Sequence, residues 1–134
     1  MKAADTSLVV AAFASWHEQH ERARTLLDQR VRLIEHCALE TYSVLTRLPP
    51  PHRCAGAVAR DFVLARFPDP FLRLEPGAYR EFVLGLPDHE VVGGATYDAL
   101  VAATASVHGA ELVTCDRRAA AVYESYGVRA IFVV

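Results

Sequence analysis

The sequence lacks the cysteine pattern of a disulfide-rich or zinc-binding protein. Its three cysteines, Cys37, Cys54 and Cys115, are odd in number and far apart, and no C-x-x-C pair occurs. A disulfide framework is therefore excluded, and a structural zinc site has no support. We expect a reducing environment and a cytoplasmic location.

Long hydrophobic runs are also missing. Although 52% of the 134 residues are hydrophobic, no run approaches the roughly 18 apolar residues that a membrane span requires. The apolar run at residues 8–14 is short for a signal peptide. The charges of Lys2 and Asp5 cancel in the segment before it, where a signal peptide is positively charged. We therefore expect no membrane partner and a single globular domain over residues 1–134.

Lysine is almost absent, because the basic residues are 13 Arg and one Lys. Arginine binds phosphate with two parallel hydrogen bonds, although a genome rich in arginine codons gives the same composition. The net charge of −2 is far from the basic excess of a dedicated nucleic-acid binder.

Short apolar segments alternate with helical patterns along the chain. The sequence predicts strands at residues 2–5, 31–34, 71–74, 111–116 and 128–134. It predicts a first helix with Thr6 or Ser7 as N-cap, and further helices at residues 17–29, 37–48, 52–66, 77–86, 95–108 and 117–126. This alternation predicts an α/β fold with a mostly parallel sheet of about five short strands and helices on both faces.

Four carboxylates stand in otherwise apolar surroundings. Asp5 and Asp116 end predicted strands, whereas Glu40 and Asp98 project from predicted apolar helices. Each one alone is explained by helix capping or by the end of a strand. Sites in open parallel sheets form beyond the carboxyl ends of the strands. The four together therefore predict one acidic cluster at that edge.

Such a cluster needs a compensating cation. Two like charges about 4 Å apart repel by roughly 4 kcal/mol at an effective dielectric constant of 20. Four carboxylates therefore require raised pKa values or bound cations, and oxygen ligands favour Mg²⁺ or Mn²⁺ over zinc. Mg²⁺ held by carboxylates can activate a water for in-line attack on a phosphodiester.

The segments around these acids carry a family resemblance. They are residues 5–7 (DTS), 39–49 (LETYSVLTRLP), 97–103 (YDALVAA) and 112–116 (LVTCD). In order and spacing they resemble the four acidic motifs of PIN domains, and more closely those of VapC toxins of bacterial VapBC toxin–antitoxin pairs. The resemblance extends over the whole chain.

The resemblance implies a three-layer PIN-like fold and a Mg²⁺- or Mn²⁺-dependent endoribonuclease. Such an enzyme cuts structured cellular RNA, of the tRNA or rRNA class, and leaves a 5′-phosphate and a 3′-hydroxyl. The resemblance further implies a homodimer that a cognate VapB antitoxin silences, with the antitoxin's C-terminal segment lying across the acidic groove.

Site roles follow from the same resemblance. It implies four catalytic acids, two supporting active-site hydroxyls and a metal held by three of the acids. The acids are Asp5, Glu40, Asp98 and Asp116, the metal ligands among them are Asp5, Asp98 and Asp116, and the hydroxyls belong to Thr6 and Thr114. Many relatives carry a further acid after the fourth motif, but residues 117–120 (RRAA) contain none. A second tightly held metal is therefore not implied.

Arg117 and Arg118 follow the fourth acid directly. Two positive charges in the first turn of a helix oppose its dipole, and a nearby anion would offset that cost. Our hypothesis is that one of them contacts the RNA backbone. Solvated surface charge is the equally simple interpretation.

The sequence also suggests other interpretations. His17, His20 and Glu21 share a helical face, but H-E-x-x-H is not matched and a solvated face is favoured. A haloacid-dehalogenase-type phosphatase needs an acid at position 7, which is Ser7, and a receiver domain needs a late lysine, whereas Lys2 is the only one. A histidine-based ribonuclease and a non-catalytic PIN-like scaffold that binds RNA or protein stay as alternatives.

Overall fold

The structure is a computed structural model that describes residues 1–133. Its centre is a four-stranded sheet made of β1 (Lys2–Ala4), β2 (Val31–Leu33), β3 (Glu111–Thr114) and β4 (Ala130–Phe132). The strand order is β2-β1-β3-β4, and every neighbouring pair is parallel. The predicted parallel sheet is confirmed, with β1 in its interior.

Seven α-helices flank the strands in the described part of the chain. They are α1 (Thr6–Phe13), α2 (His20–Leu27), α3 (Glu35–Thr46), α4 (Gly56–Arg66), α5 (Pro76–Gly85), α6 (Ala95–Val107) and α7 (Ala120–Ser125). Short 3₁₀ turns lie at Leu86–His89 and Arg117–Ala119. Ala3, Ala4, Leu112 and Val113 are fully buried, although successive strand residues point to opposite faces. Both faces of the central strands are therefore covered, as the α/β prediction requires.

The predicted strand at residues 71–74 is not formed. Leu72 makes one isolated parallel bridge with Ile34, and no ladder follows from it. Proline has no N–H to donate to a ladder, and Pro70 and Pro76 stand on either side of the segment. The sheet accordingly has four strands rather than about five.

The first helix is capped by Asp5, not by Thr6 or Ser7 as predicted. Asp5 has extended backbone angles, and its side chain accepts a hydrogen bond from the N–H of Leu8 at 3.1 Å. Thr6 and Ser7 lie inside α1. A carboxylate is a strong N-cap acceptor, so the residue that ends β1 also starts α1.

Other predicted boundaries shift by a few residues, as element ends commonly do. The helix predicted from residue 17 begins at His20, and the one predicted from residue 52 begins at Gly56. β3 ends at Thr114, which leaves Asp116 two residues beyond the strand. The final strand covers Ala130–Phe132, and residue 134 of its predicted range lies outside the described residues.

The core lies between the sheet and the helices packed on it. Leu8 and Val9 of α1 meet Leu33 of β2 and Val101 of α6 in one apolar cluster. Tyr123 of α7 is the largest fully buried side chain among the described residues. No helix within residues 1–133 has both the length and the apolar character needed to cross a lipid bilayer.

Helix α6 ends in a Schellman motif at Gly109. The N–H of Ala110 donates to the carbonyl of Ala105 at 2.9 Å, and the N–H of Gly109 donates to that of Ser106 at 3.1 Å. Gly109 has a φ of 64°. This left-handed conformation is unfavourable for any residue that has a Cβ atom. The motif turns the chain directly from α6 into β3.

We predict that Gly109→Ala lowers the free energy of unfolding by about 1 kcal/mol, because alanine resists the left-handed conformation. Urea denaturation monitored by circular dichroism measures this change. Gly77→Ala in α5 is the matched control, since its φ is not left-handed and an added Cβ meets no atom within 4 Å. The control is expected to be neutral or slightly stabilising, and equal losses in both variants would contradict the assignment.

Candidate active site

The four acids singled out in the sequence line one cleft at the carboxyl edge of the sheet. The cleft has a volume of about 380 Å³. Asp5 enters it from the end of β1 and Asp116 from the turn after β3, while Glu40 of α3 and Asp98 of α6 enter from the flanking helices. The strand order places β1 beside β3, so the two strand-end acids are neighbours by topology.

Asp5 is the most buried of the four, with only 4% of its surface exposed. Its Oδ1 accepts hydrogen bonds from Ser7 Oγ at 2.6 Å and from the N–H of Leu8. Its Oδ2 accepts from Tyr123 OH at 2.9 Å and from Thr114 Oγ1. Burial raises the pKa of Asp5 in spite of these four donors, which act in the opposite direction.

Hydroxyl groups tie Asp5 to the end of β3. The Ser7 and Thr114 hydroxyls lie 3.2 Å apart. Ser7 Oγ accepts from the N–H of Cys115 at 2.9 Å, and Thr114 Oγ1 accepts from the N–H of Asp116 at the same distance. The position of Asp116 in the cleft therefore depends on the group that also binds Asp5.

Asp98 and Asp116 share one guanidinium group, that of Arg118. Arg118 Nη1 lies 3.6 Å from Asp98 Oδ2, and Nη2 lies 3.0 Å from Asp116 Oδ2. The pKa of Asp98 is nevertheless raised, first by burial and then by the negative charges of Asp116, Glu40 and Asp5, against which Arg118 acts. The cleft thus holds more negative charge than its own cation compensates.

Glu40 has a different environment from the other acids. His36 lies one helical turn earlier on α3, with Nε2 3.6 Å from Glu40 Oε2. This neighbour is the main reason that the pKa of Glu40 is lowered. The His36 ring stacks on that of Tyr97, with centroids 5.4 Å apart and planes within 5°. Glu40 is therefore held ionised at the rim of the cleft.

Thr6 and Thr114, the two threonines predicted to support the site, differ in position and in contacts. Thr114 is fully buried and bonded to Asp5. Thr6 lines the cleft, and its buried Oγ1 has no hydrogen-bond partner among residues 1–133. The Thr6 side chain nevertheless lies close enough to Glu40 to help lower the pKa of that carboxyl.

Arg117 and Arg118 are separated by the turn that carries them. Arg118 lines the cleft, whereas the Arg117 guanidinium lies over the Phe132 ring, 4.9 Å from its centroid. Successive residues of a 3₁₀ turn point about 120° apart, so only one of the pair can face the acids.

The predicted face of His17, His20 and Glu21 forms no ligand set within residues 1–133, and His17 lies before the start of α2. His17 lines the acidic cleft, but His20 Nδ1 lies 2.9 Å from the carbonyl of Ala11. Glu21 is exposed and lies 3.8 Å from Arg24. The solvated-face interpretation fits Glu21, while His17 belongs to the cleft.

Sequence reasoning missed three residues of the site, namely Ser7 as a bridge, His36 and Tyr123. His36 had a readable signal, because it precedes Glu40 by four residues on a predicted helix. The sequence suggests Ser7 only as a helix N-cap and as the residue that stands where a haloacid-dehalogenase-type phosphatase needs an acid. Tyr123 had no local signal, since its hydroxyl reaches Asp5 across 118 positions of sequence.

The donor set fits a hard divalent cation in its chemistry. The cleft presents carboxylate and hydroxyl oxygens, which suit Mg²⁺ or Mn²⁺, and Arg118 already places a positive charge between two of the acids. No three acidic, histidine or cysteine side chains within residues 1–133 are close enough together to ligate a metal as they stand. Binding an ion therefore requires side chains of the cleft to move.

Comparisons with known proteins agree with this architecture. The family model of the PIN domain matches residues 3–125. Ribonuclease VapC40 of Mycobacterium tuberculosis is 51% identical over 124 residues, covering 92% of either chain. Ribonuclease VapC27 of the same species is 39% identical over 130 residues, covering 96% of this chain and 94% of that one.

Two solved structures share the fold. The crystal structure of FitAcB from Neisseria gonorrhoeae has a TM-score of 0.70 at 20% identity, covering 98% of this chain and 96% of that one. The structure of FitAB bound to an IR36 DNA fragment has a TM-score of 0.72 at 18% identity, covering 98% and 94%. With a PIN model spanning most of its length and a relative identical at half of the aligned positions, the chain belongs to the PIN-domain family, in its VapC group.

Proposed function

We propose that the chain is a ribonuclease toxin of a toxin–antitoxin pair, and that it is a Mg²⁺- or Mn²⁺-dependent endoribonuclease. The observation that carries the proposal is the convergence of Asp5, Glu40, Asp98 and Asp116 on one cleft. The raised pKa of Asp98 beside like charges supports a demand for a further cation. The relatives named as ribonucleases support RNA as the substrate.

The proposal divides the four acids into three metal ligands and one general base. Asp5, Asp98 and Asp116 would hold the ion, and Thr114 fixes the positions of Asp5 and Asp116 through its hydrogen bonds. When bound, the ion would supply Lewis-acid activation of water and neutralise charge at the scissile phosphodiester. Glu40, kept ionised by His36, accepts the proton of the attacking water. Thr6 supports this base, because its side chain helps to lower the pKa of Glu40.

The substrate is structured cellular RNA, of the tRNA or rRNA class. We propose that Arg117 and Arg118 contact the RNA backbone, because guanidinium groups bind phosphate oxygens in pairs. Arg118 is already at the cleft, and Arg117 stands on the neighbouring surface over Phe132. Backbone contacts of this kind give affinity without sequence preference.

The partner is a cognate VapB antitoxin, with a homodimer of this chain as the toxin unit and the cytoplasm as its location. An apolar groove of about 810 Å³ lies between α3 and α4, away from the acids. Leu39 and Leu64 line it and are 72% and 64% exposed. Large exposed apolar patches mark interaction surfaces, which supports a protein partner at a surface separate from the acidic cleft.

We predict that the purified chain cuts total cellular RNA at discrete sites with Mg²⁺ or Mn²⁺ and leaves 5′-phosphate ends. EDTA should abolish the cleavage. Asp98→Asn should reduce it by more than about 100-fold, because loss of a metal ligand exceeds the 10- to 100-fold effect typical of outer-shell changes. Mapping of the new RNA ends by sequencing measures both effects.

Asp61→Asn is the matched control, since Asp61 is exposed on α4 and, within residues 1–133, pairs only with its neighbour Arg60. It should cleave like the unmodified chain. Absence of cleavage under all conditions would favour the non-catalytic scaffold. Cleavage that ignores both EDTA and Asp98 would favour a histidine-based ribonuclease.

We predict that Asp98→Asn stabilises the metal-free protein at pH 7 by about 0.5 to 1 kcal/mol, the size of charge interactions near a protein surface. The folded-state pKa of Asp98 is raised above 3.8, so its ionisation costs stability as the pH rises through that pKa. The difference from the unmodified chain should therefore vanish as the pH falls toward 4. Urea denaturation in EDTA at several pH values measures it, and a gain independent of pH would contradict the cause.

We predict that replacing both Arg117 and Arg118 with Gln weakens RNA binding several-fold and lowers the slope of log K against log salt by about 1 to 2. Fluorescence anisotropy with labelled RNA and Mg²⁺, in the Asp98→Asn background, measures binding without cleavage. Arg80→Gln on α5, outside the residues that line the cleft, is the control. Unchanged affinity and slope in the double variant would show that both arginines are only surface charge.

A further inference from the structure

Arg118 occupies a position in the cleft that its neighbour Arg117 does not share. Its guanidinium spans the gap between Asp98 and Asp116 with contacts of 3.6 and 3.0 Å. These two acids belong to different elements, α6 and the turn after β3. A single side chain therefore links the two sides of the acidic cleft.

We propose that Arg118 is a tethered cation, which holds Asp98 and Asp116 together in the metal-free protein and must be displaced before a divalent ion binds there. The inference rests on the proposed function, because it takes divalent-ion binding as part of it. It adds a competition inside the chain, in which one residue occupies the position that the ion needs.

The contacts of Arg118 show which part of it can move. Its backbone N–H donates to Asp116 Oδ1 at 3.0 Å, and this bond does not depend on the side chain. The side chain itself is 73% exposed, against 20% for Asp98 and 27% for Asp116. The guanidinium can thus swing into solvent while the turn stays in place, which leaves the two carboxylates free to rearrange around an ion.

The competition has a measurable size. Exposed ion pairs contribute little to stability, so a dipositive ion displaces the guanidinium readily. Only molecules in which Arg118 has left the two acids can bind the ion, and the apparent affinity for the ion falls in proportion to their fraction. We expect Arg118→Gln to bind Mn²⁺ about 3- to 10-fold more tightly than the unmodified chain. Isothermal titration calorimetry on the full-length, chelator-treated protein without RNA measures this.

Arg117→Gln is the matched control, because it removes the same charge from the neighbouring residue. The Arg117 guanidinium packs on Phe132 instead of lying between the acids. It should bind Mn²⁺ within about twofold of the unmodified chain, since only long-range repulsion is removed. Arg118→Lys keeps the charge but places one ammonium where two carboxylates need a fork. Its affinity should lie between those of the unmodified chain and Arg118→Gln.

Thermal unfolding provides a second readout that needs no activity. Without metal, Arg118→Gln should melt lower than Arg117→Gln, because Asp98 and Asp116 then face each other without their shared cation. Saturating Mn²⁺ should raise its Tm by more than it raises that of the control. This pair of opposite changes distinguishes displacement from a general loss of surface charge.

The outcomes separate the inference from the proposal on which it rests. If the unmodified chain binds Mn²⁺ and Arg118→Gln binds it no more tightly than Arg117→Gln does, the tethered-cation role is wrong and the metal-dependent function stands. If neither the unmodified chain nor Arg118→Gln binds Mn²⁺, both fail. Binding by Arg118→Gln alone would support the inference in its strongest form.

Discussion

The rest of the structure depends on the buried carboxylate of Asp5 and its four hydrogen bonds. This one side chain ends β1, caps α1 through Leu8, binds the end of β3 through Thr114 and anchors α7 through Tyr123. A buried carboxylate is tolerated only when its oxygens are satisfied, so the four donors and the acid require one another. The hydrogen bonds that hold Asp5 at the base of the acidic cleft are thus also the bonds that connect β1, α1, β3 and α7.

The close approach of the four carboxylates serves the proposed function but lowers the stability of the fold. The parallel order of β1 and β3 and the packing of α3 and α6 bring four carboxylates into one small cleft. Burial raises the pKa values of Asp5 and Asp98, the neighbouring negative charges raise that of Asp98 further, and Arg118 compensates part of the remaining charge. Sites with perturbed pKa values of this kind commonly carry function. Glu40 is the exception, because His36 gives it a favourable neighbour.

The sequence predicted the parallel α/β fold and the convergence of the four acids, because alternating elements and strand-end acids are local patterns that topology preserves. It mispredicted a strand at residues 71–74, where flanking prolines left only one bridge. It treated Arg117 and Arg118 as equivalent, although the turn points them apart. The role of Tyr123 could not be predicted, because it is a contact between distant parts of the chain and leaves no local pattern.

The interior position of β1 also determines when during synthesis the acidic cleft exists. β1 pairs with β3, where Lys2 is in register with Glu111, and Asp5 finds Thr114 and Tyr123 at separations of 109 and 118 residues. Contacts between such distant parts of a chain form late, since the intervening segment must first be made and closed into a loop. A nascent chain that stops short of β3 carries three of the acids without the strand that brings them to Asp116. The ribosome that translates this chain therefore meets an assembled acidic cleft only after most of the polypeptide has left its exit tunnel.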